Sequence, residues 1–267
     1  MAGRRDGVRR RAHDRVPLAA LRRSGLPARV TGSGSGRPVA VVTAASRGIG
    51  AACARTLAGR GYRVSLLARS DAVHAMAAEL SGLATVGSVA EPEDLAALVE
   101  RTLSSWGRID AVVNNTGHPA KGDLLGIDDA GWSQGFALIL QSVVRMARLV
   151  TPVFQKQGGG AIVNVSSLWA VEPHLDAPVS STLRAALSSF TKLYADRYAA
   201  DRIRMNCVLA GFVDTYPVAE KFQQAIPMRR VAGPEEVARV AAFLLSDDAA
   251  YVTGQSVRAD GGLTRSF

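Results

Sequence analysis

Cysteine, histidine and aromatic residues are all scarce in this chain. Its 267 residues include two cysteines and four histidines, and aromatic side chains make up 6%. Cys53 falls in a helical pattern and Cys207 in an extended one, and neither has metal-ligand spacing. No metal site is expected, and the plain reading is a reduced, cytoplasmic protein. Long apolar runs are missing as well. The longest near the start, Val16 to Leu21, is short and contains Pro17. A secretory signal and a membrane association are therefore not expected.

Basic charge is plentiful but unevenly placed. The formal net charge is +9, and residues 1–36 hold nine arginines against Asp6 and Asp14. That head alone carries +7, which leaves +2 for the rest. It has no aromatic residue on which a nucleic acid base could stack, and it ends in Thr31-Gly-Ser-Gly-Ser-Gly36, a flexible linker by composition. Nucleic acid is not an expected partner. Residues 1–37 are read as a basic, disordered leader. An arginine-rich arm on an anionic partner, or a short docking helix around Val16–Arg23, are the alternatives.

From residue 38 onward, short apolar runs alternate with longer amphipathic segments. Strands are expected at 39–43, 63–68, 84–88, 109–113, 161–165, 204–209 and 256–259. Helices are expected at 48–61, 71–80, 92–106, 128–155, 180–200 and 234–246. Alternation at this spacing predicts βαβ units, hence a single α/β domain over 38–267 with a doubly wound, Rossmann-type parallel sheet. The strands are continuous Val/Ile/Leu runs, as expected where helices cover both faces.

The turn after the first strand reads Thr43-Ala-Ala-Ser46-Arg47-Gly48-Ile49-Gly50. Small residues and glycine let the backbone approach a pyrophosphate at a helix N-terminus. Further along come Asn114-Asn-Thr-Gly117, Asn164-Val-Ser-Ser167, Asn206 to Thr215 with Gly211, Arg230 to Glu236, and Thr253 to Gly262. Together these motifs resemble the short-chain dehydrogenase/reductases, of the 3-oxoacyl-carrier-protein-reductase kind, over about residues 38–264. Ala44 and Ala210 stand where the family has glycine and proline.

The resemblance implies a nicotinamide cofactor held by Thr43, Ser46, Arg47, Gly48, Ile49, Gly50, Ser88, Asn114, Gly117, Arg184, Gly211 and Thr215. Where NAD-specific members carry an acid after the second strand, this chain has Ala68 followed by Arg69. Arg47 and Arg69 point to a 2′-phosphate and so to NADP(H).

The resemblance also implies a serine, a tyrosine, a lysine four residues later, and a helical asparagine as the reducing machinery. Ser167 matches the serine. Thirteen residues on lies Ser180 instead of tyrosine, then Arg184 instead of lysine, and Ile139 stands at the asparagine position. A serine hydroxyl is a weaker acid than a phenol, and a guanidinium does not release a proton at working pH. Candidate substitutes are His118 with Lys121, His174 with Asp176, and Tyr216; ordinary surface roles are the alternative for each. Trp169 is read as pocket lining.

Three functions follow as expectations. The first is non-redox or altered chemistry, such as dehydration, cyclisation or isomerisation, on a small carbonyl or hydroxyl metabolite. The second is an NADPH-dependent ketoreductase with a substitute proton donor. The third is a catalytically silent partner subunit. The long helices at 128–155 and 180–200 resemble the family's dimer and tetramer surfaces, which implies a homodimer or homotetramer.

Overall fold

Seven parallel strands form one sheet in the order β3-β2-β1-β4-β5-β6-β7 in the structure, a computed structural model that describes residues 36–266. The strands are β1 (Val39–Thr43), β2 (Arg63–Ala68), β3 (Leu83–Val86), β4 (Ala111–Asn114), β5 (Gly160–Ser167), β6 (Ile203–Ala210) and β7 (Ser256–Ala259). The helices are α1 (Gly48–Gly59), α2 (Ala72–Glu79), α3 (Pro92–Trp106), α4 (Asp129–Phe136), α5 (Ser142–Gln157), α6 (Pro178–Tyr198), α7 (Glu220–Ala225) and α8 (Pro234–Leu245). The expected basic leader, with its alternative helix around 16–23, lies outside the described residues.

Burial explains the continuous apolar strands. All five residues of β1 are buried, because helices cover both faces. On one face Val42, Leu57, Leu66, Val163 and Val208 pack with residues of α1 and α8. On the other, Val41, Leu98, Val112, Met146, Phe154 and Ile162 pack with α3 and α5. Strand order reverses between β1 and β4, which opens a crevice above their carboxyl ends, the usual ligand position in such sheets.

The single helix expected over 128–155 is three pieces. Asp128 caps α4 by accepting a 2.8 Å hydrogen bond from the Gly131 amide. A π-helical turn over Ala137–Gln141 then joins α4 to α5. Ile139, on that turn, is 1% exposed. Wide turns of this kind are invisible to a 3.6-residue hydrophobic period. Taken whole, Asp129–Gln157 has the length and apolar composition to cross a membrane. No single apolar run had suggested this. Val143, Met146, Val150 and Phe154 are buried in the core, which accounts for part of the apolarity.

Other boundaries shift in ways that matter for the site. β5 runs to Ser167 rather than ending at 165, so both serines lie on the strand. α6 begins at Pro178, where proline's fixed φ suits the first helical position, and Ser180 therefore sits inside the helix. β3 ends at Val86, leaving Ser88 in the following loop. The stretch between β6 and α8 contains α7.

Candidate active site

The phosphate turn is built mainly by backbone. Thr43 Oγ1 donates to the Asn115 carbonyl at 2.7 Å and accepts from the Asn115 amide at 2.9 Å, which ties the ends of β1 and β4 together. Ala44 has φ of +47°, a left-handed conformation that favours the glycine the family has there. Gly50 admits no side chain, since a Cβ would lie 2.2 Å from the Ala44 carbonyl oxygen. Ser46 and Ile49 are half-buried along the turn, and Arg47 is exposed at the start of α1.

Side chains of the cofactor set fall into two groups. Arg69 is exposed and reaches toward Gly117, where a Cβ would lie 3.8 Å from its Nη2. Thr215 meets the turn, with its Cγ2 3.1 Å from where a Gly48 Cβ would be. Gly211 packs directly on the Asp260 backbone. By contrast, the Asn114 side chain points into the fold and donates to Asn164 Oδ1 at 2.9 Å. Ser88 is engaged locally: its amide donates to Asp94 and its hydroxyl accepts from the Ala90 amide. A glycine-lined turn flanked by two exposed arginines suits a pyrophosphate and a 2′-phosphate. Among the described residues no cluster of His, Cys, Asp or Glu is arranged to hold a metal ion.

At the catalytic end, Ser167 is half-buried and its hydroxyl accepts from the Trp169 amide at 3.3 Å. Ser180 and Arg184 are each 7% exposed. Arg184 Nε donates to Ser180 Oγ at 3.2 Å, and Nη1 donates to the Val165 carbonyl at 2.8 Å. Burial pushes the Arg184 pKa down to about 10, opposed by Cys207, which still leaves the group charged at neutral pH. No carboxylate pairs with it in the described structure. It lines a small pocket with Asn114, Thr116, Ile139 and Ser142. The Thr116 and Ser166 hydroxyls are buried without partners.

The substitute candidates form two separate pairs. His174 Nδ1 lies 3.7 Å from Asp176 Oδ2, and both side chains are well exposed. His174 also stacks on Trp169 at 5.5 Å and meets the edge of Phe222 at 6.1 Å. Phe212 closes this aromatic ring, 4.9 Å from Phe222 and 6.3 Å from Trp169. His118 pairs instead with Tyr216, 98 residues away, through a hydrogen bond between Nε2 and the phenol oxygen. Their rings meet edge to face at 5.0 Å. Burial lowers the His118 pKa, and the positive charges of Lys121, Arg184 and Arg47 lower it further.

Sequence reasoning did not find Phe222 or the polar chain behind the site. In that chain Asn164 Nδ2 donates to Thr191 Oγ1 at 3.0 Å, and Thr191 lies 3.2 Å from Cys207 Sγ. Buried polar residues in otherwise apolar segments were the available signal. For Phe222 no motif existed.

Comparison with known proteins agrees with this architecture. The family profile described as enoyl-(acyl carrier protein) reductase matches residues 43–264. The chain is 35% identical over 240 residues to dehydrogenase/reductase SDR family member 4 of Oryctolagus cuniculus, covering 84% of this chain and 92% of that protein. It is 33% identical over 239 residues to the 3-oxoacyl-[acyl-carrier-protein] reductase of Thermotoga maritima, covering 84% and 97%. Among solved structures, L-sorbose reductase from Gluconobacter frateurii, complexed with NADPH and L-sorbose, superposes with a TM-score of 0.81 at 32% identity. That match covers 88% of this chain and 99% of the other.

Proposed function

The chain belongs to the short-chain dehydrogenase/reductase family, and we propose that it is an NADP(H)-dependent oxidoreductase whose proton does not travel the family's tyrosine–lysine path. Its substrate on this reading is a small carbonyl or hydroxyl metabolite. One observation carries the proposal: an intact phosphate turn stands beside an Arg184 that is buried and bonded to Ser180 and Val165. Bound NADP(H) supplies or accepts a hydride at such a site. Arg47 and Arg69 would hold its 2′-phosphate, and the 46–50 turn its pyrophosphate. Ser167 would orient the carbonyl from the end of β5.

Non-redox chemistry, such as dehydration, cyclisation or isomerisation, is the second reading. It is favoured by Ser180 at the family's tyrosine position, a weaker acid than a phenol, whose Oγ accepts from Arg184 Nε. A homodimer or homotetramer built on α4–α5 and α6 belongs to the same proposal, as do a cytoplasmic setting and the catalytic roles of His118, His174 and Asp176. Leu193 of α6 and Phe136 of α4 are 66% and 41% exposed and suit such a surface.

Two measurements test this. NADPH at 100 times its Kd should stabilise the protein by about 2.7 kcal/mol through mass action. No change in melting temperature at millimolar NADPH would remove the premise. Cofactor stoichiometry then separates the readings. One NADPH oxidised per product supports hydride transfer, and turnover without net cofactor consumption supports the non-redox alternative.

A further inference from the structure

We propose that Tyr216 is the proton donor of this site, and that His118 is the residue that positions it and relays its proton. The inference rests on the hydride-transfer reading above.

Topology places the pair over the crevice. β6 is three ladder steps from β1, with β5 and β4 between them. At about 4.8 Å per step that is roughly 14 Å. For Thr215 to pack on Gly48, the segment after β6 has to cross the carboxyl edges of β5 and β4. Tyr216 is the next residue. Its partner His118 directly follows Gly117 at the end of β4, on the near side of the same crevice. His118 is within electrostatic reach of both Arg47, in the phosphate turn, and Arg184, on α6. The pair therefore stands between the element that takes the phosphates and the element that carries the family's acid.

Tyr216 is also the one tyrosine with access to that place. Tyr62 packs at the opposite edge of the sheet, beside α1 and just before β2. Tyr194 is hydrogen-bonded to Thr151 at 2.6 Å, and the tilted Tyr198 ring packs against it at 4.7 Å. Tyr251 is fully exposed between α8 and β7. Tyr216 is half exposed.

The chemistry balances without another reactant. With its proton on Nε2, the neutral imidazole donates to the phenol oxygen and leaves the phenol O–H free to donate to a carbonyl oxygen. The carbonyl carbon gains the hydride and its oxygen takes the phenol proton. The phenolate recovers a proton from His118 Nε2 while Nδ1 takes one from solvent. One carbonyl, one NADPH and one proton become one alcohol and one NADP+. Burial, and after it the positive charges of Lys121, Arg184 and Arg47, lower the His118 pKa and so favour the neutral imidazole.

The test uses the full chain, NADPH deuterated at the transferring C4 position, and three carbonyl probes: 2,3-butanedione, L-sorbose and an acetoacetyl thioester. The Y216F variant should lower kcat for label transfer by about 100-fold, with KM and NADPH Kd within about twofold. The H118A variant should lower kcat by about tenfold, and added imidazole should restore part of it. In the ligand-free protein, Y216F should displace the His118 ring-nitrogen NMR resonance. Label transfer in Y216F within about threefold of wild type, or an unmoved His118 resonance, would overturn the assignment while leaving hydride transfer standing. NADPH that binds but delivers label to none of the probes would overturn both. Absence of NADPH binding would remove the reading beneath them.

Discussion

At the β1–β4 end of the crevice the site is made of backbone, whereas at the β5–α6 end it is made of side chains. The first end needs small residues, a left-handed turn and a helix N-terminus. Ala44 in place of glycine leaves that geometry standing, at φ +47°. The second end needs a phenol and an ammonium group at fixed points, and Ser180 with Arg184 supplies neither. Backbone sites thus tolerate substitution wherever the conformation survives, while acid–base sites change function with a single side chain. On the proposed reading, cofactor binding and turnover are separable, and each can be probed alone.

The largest expected gain comes from restoring the side-chain end. The triple change Ile139→Asn, Ser180→Tyr and Arg184→Lys should raise NADPH-dependent ketone reduction at least about tenfold, measured with the same carbonyl probes. If the triple variant folds and binds NADPH but gains nothing, the two ends differ by more than these positions. Arg184→Lys alone should give no gain, because Ser180 offers no acid for an ammonium to tune.

How legible the two ends were in the sequence follows the same division. The strand-to-helix turn over 43–50, the parallel sheet and the parallel-strand burial all follow from local pattern, and the structure reproduces that geometry. Ile139 was locatable by its place in the family's pattern, and Ser180 and Arg184 by spacing from Ser167. Their mutual contacts were not, because the Arg184 guanidinium turns inward to Val165, a direction no spacing encodes. The His118–Tyr216 pair lay further from view. Both residues were candidates singly, but their contact spans 98 positions and depends on how the segment after β6 crosses the crevice. The π-helical turn at Ala137–Gln141 was hidden for a local reason, since five apolar or long side chains in a row satisfy an α-helical period equally well.

A smaller effect should sharpen the backbone end. Arg47→Ala and Arg69→Ala should each weaken NADPH binding by about tenfold, the scale of one charge-assisted contact, and leave NADH affinity nearly unchanged. Titration of both cofactors against both variants reads this directly. Equal losses for NADPH and NADH would move the arginines from the 2′-phosphate to the shared pyrophosphate. Unchanged NADPH affinity in both variants would make them ordinary solvated charges, as their exposure permits.

The smallest expected effect concerns stability, and it sets Arg184 against the exposed arginines. Its charge is 7% exposed and faces a hydroxyl and a carbonyl rather than a carboxylate. Burial holds its folded pKa, about 10, below that of arginine in the unfolded chain. Between those values the unfolded chain binds more protons than the folded one, so this group's contribution to stability rises with pH there. Below about pH 10 the guanidinium is charged in both states, and the full desolvation cost remains. Arg184→Met removes that cost but leaves the Val165 carbonyl and the Ser180 hydroxyl without their donor, which offsets part of the gain. The variant should therefore be more stable than wild type by about 1 kcal/mol at pH 7 in urea melts. Its advantage should shrink as pH is raised through about 10, where wild type begins to shed the buried charge. A variant markedly less stable at pH 7 would show that the two hydrogen bonds outweigh the desolvation. The arginine at the lysine position would then be a structural clamp, retained for what it holds rather than left over from what it replaced.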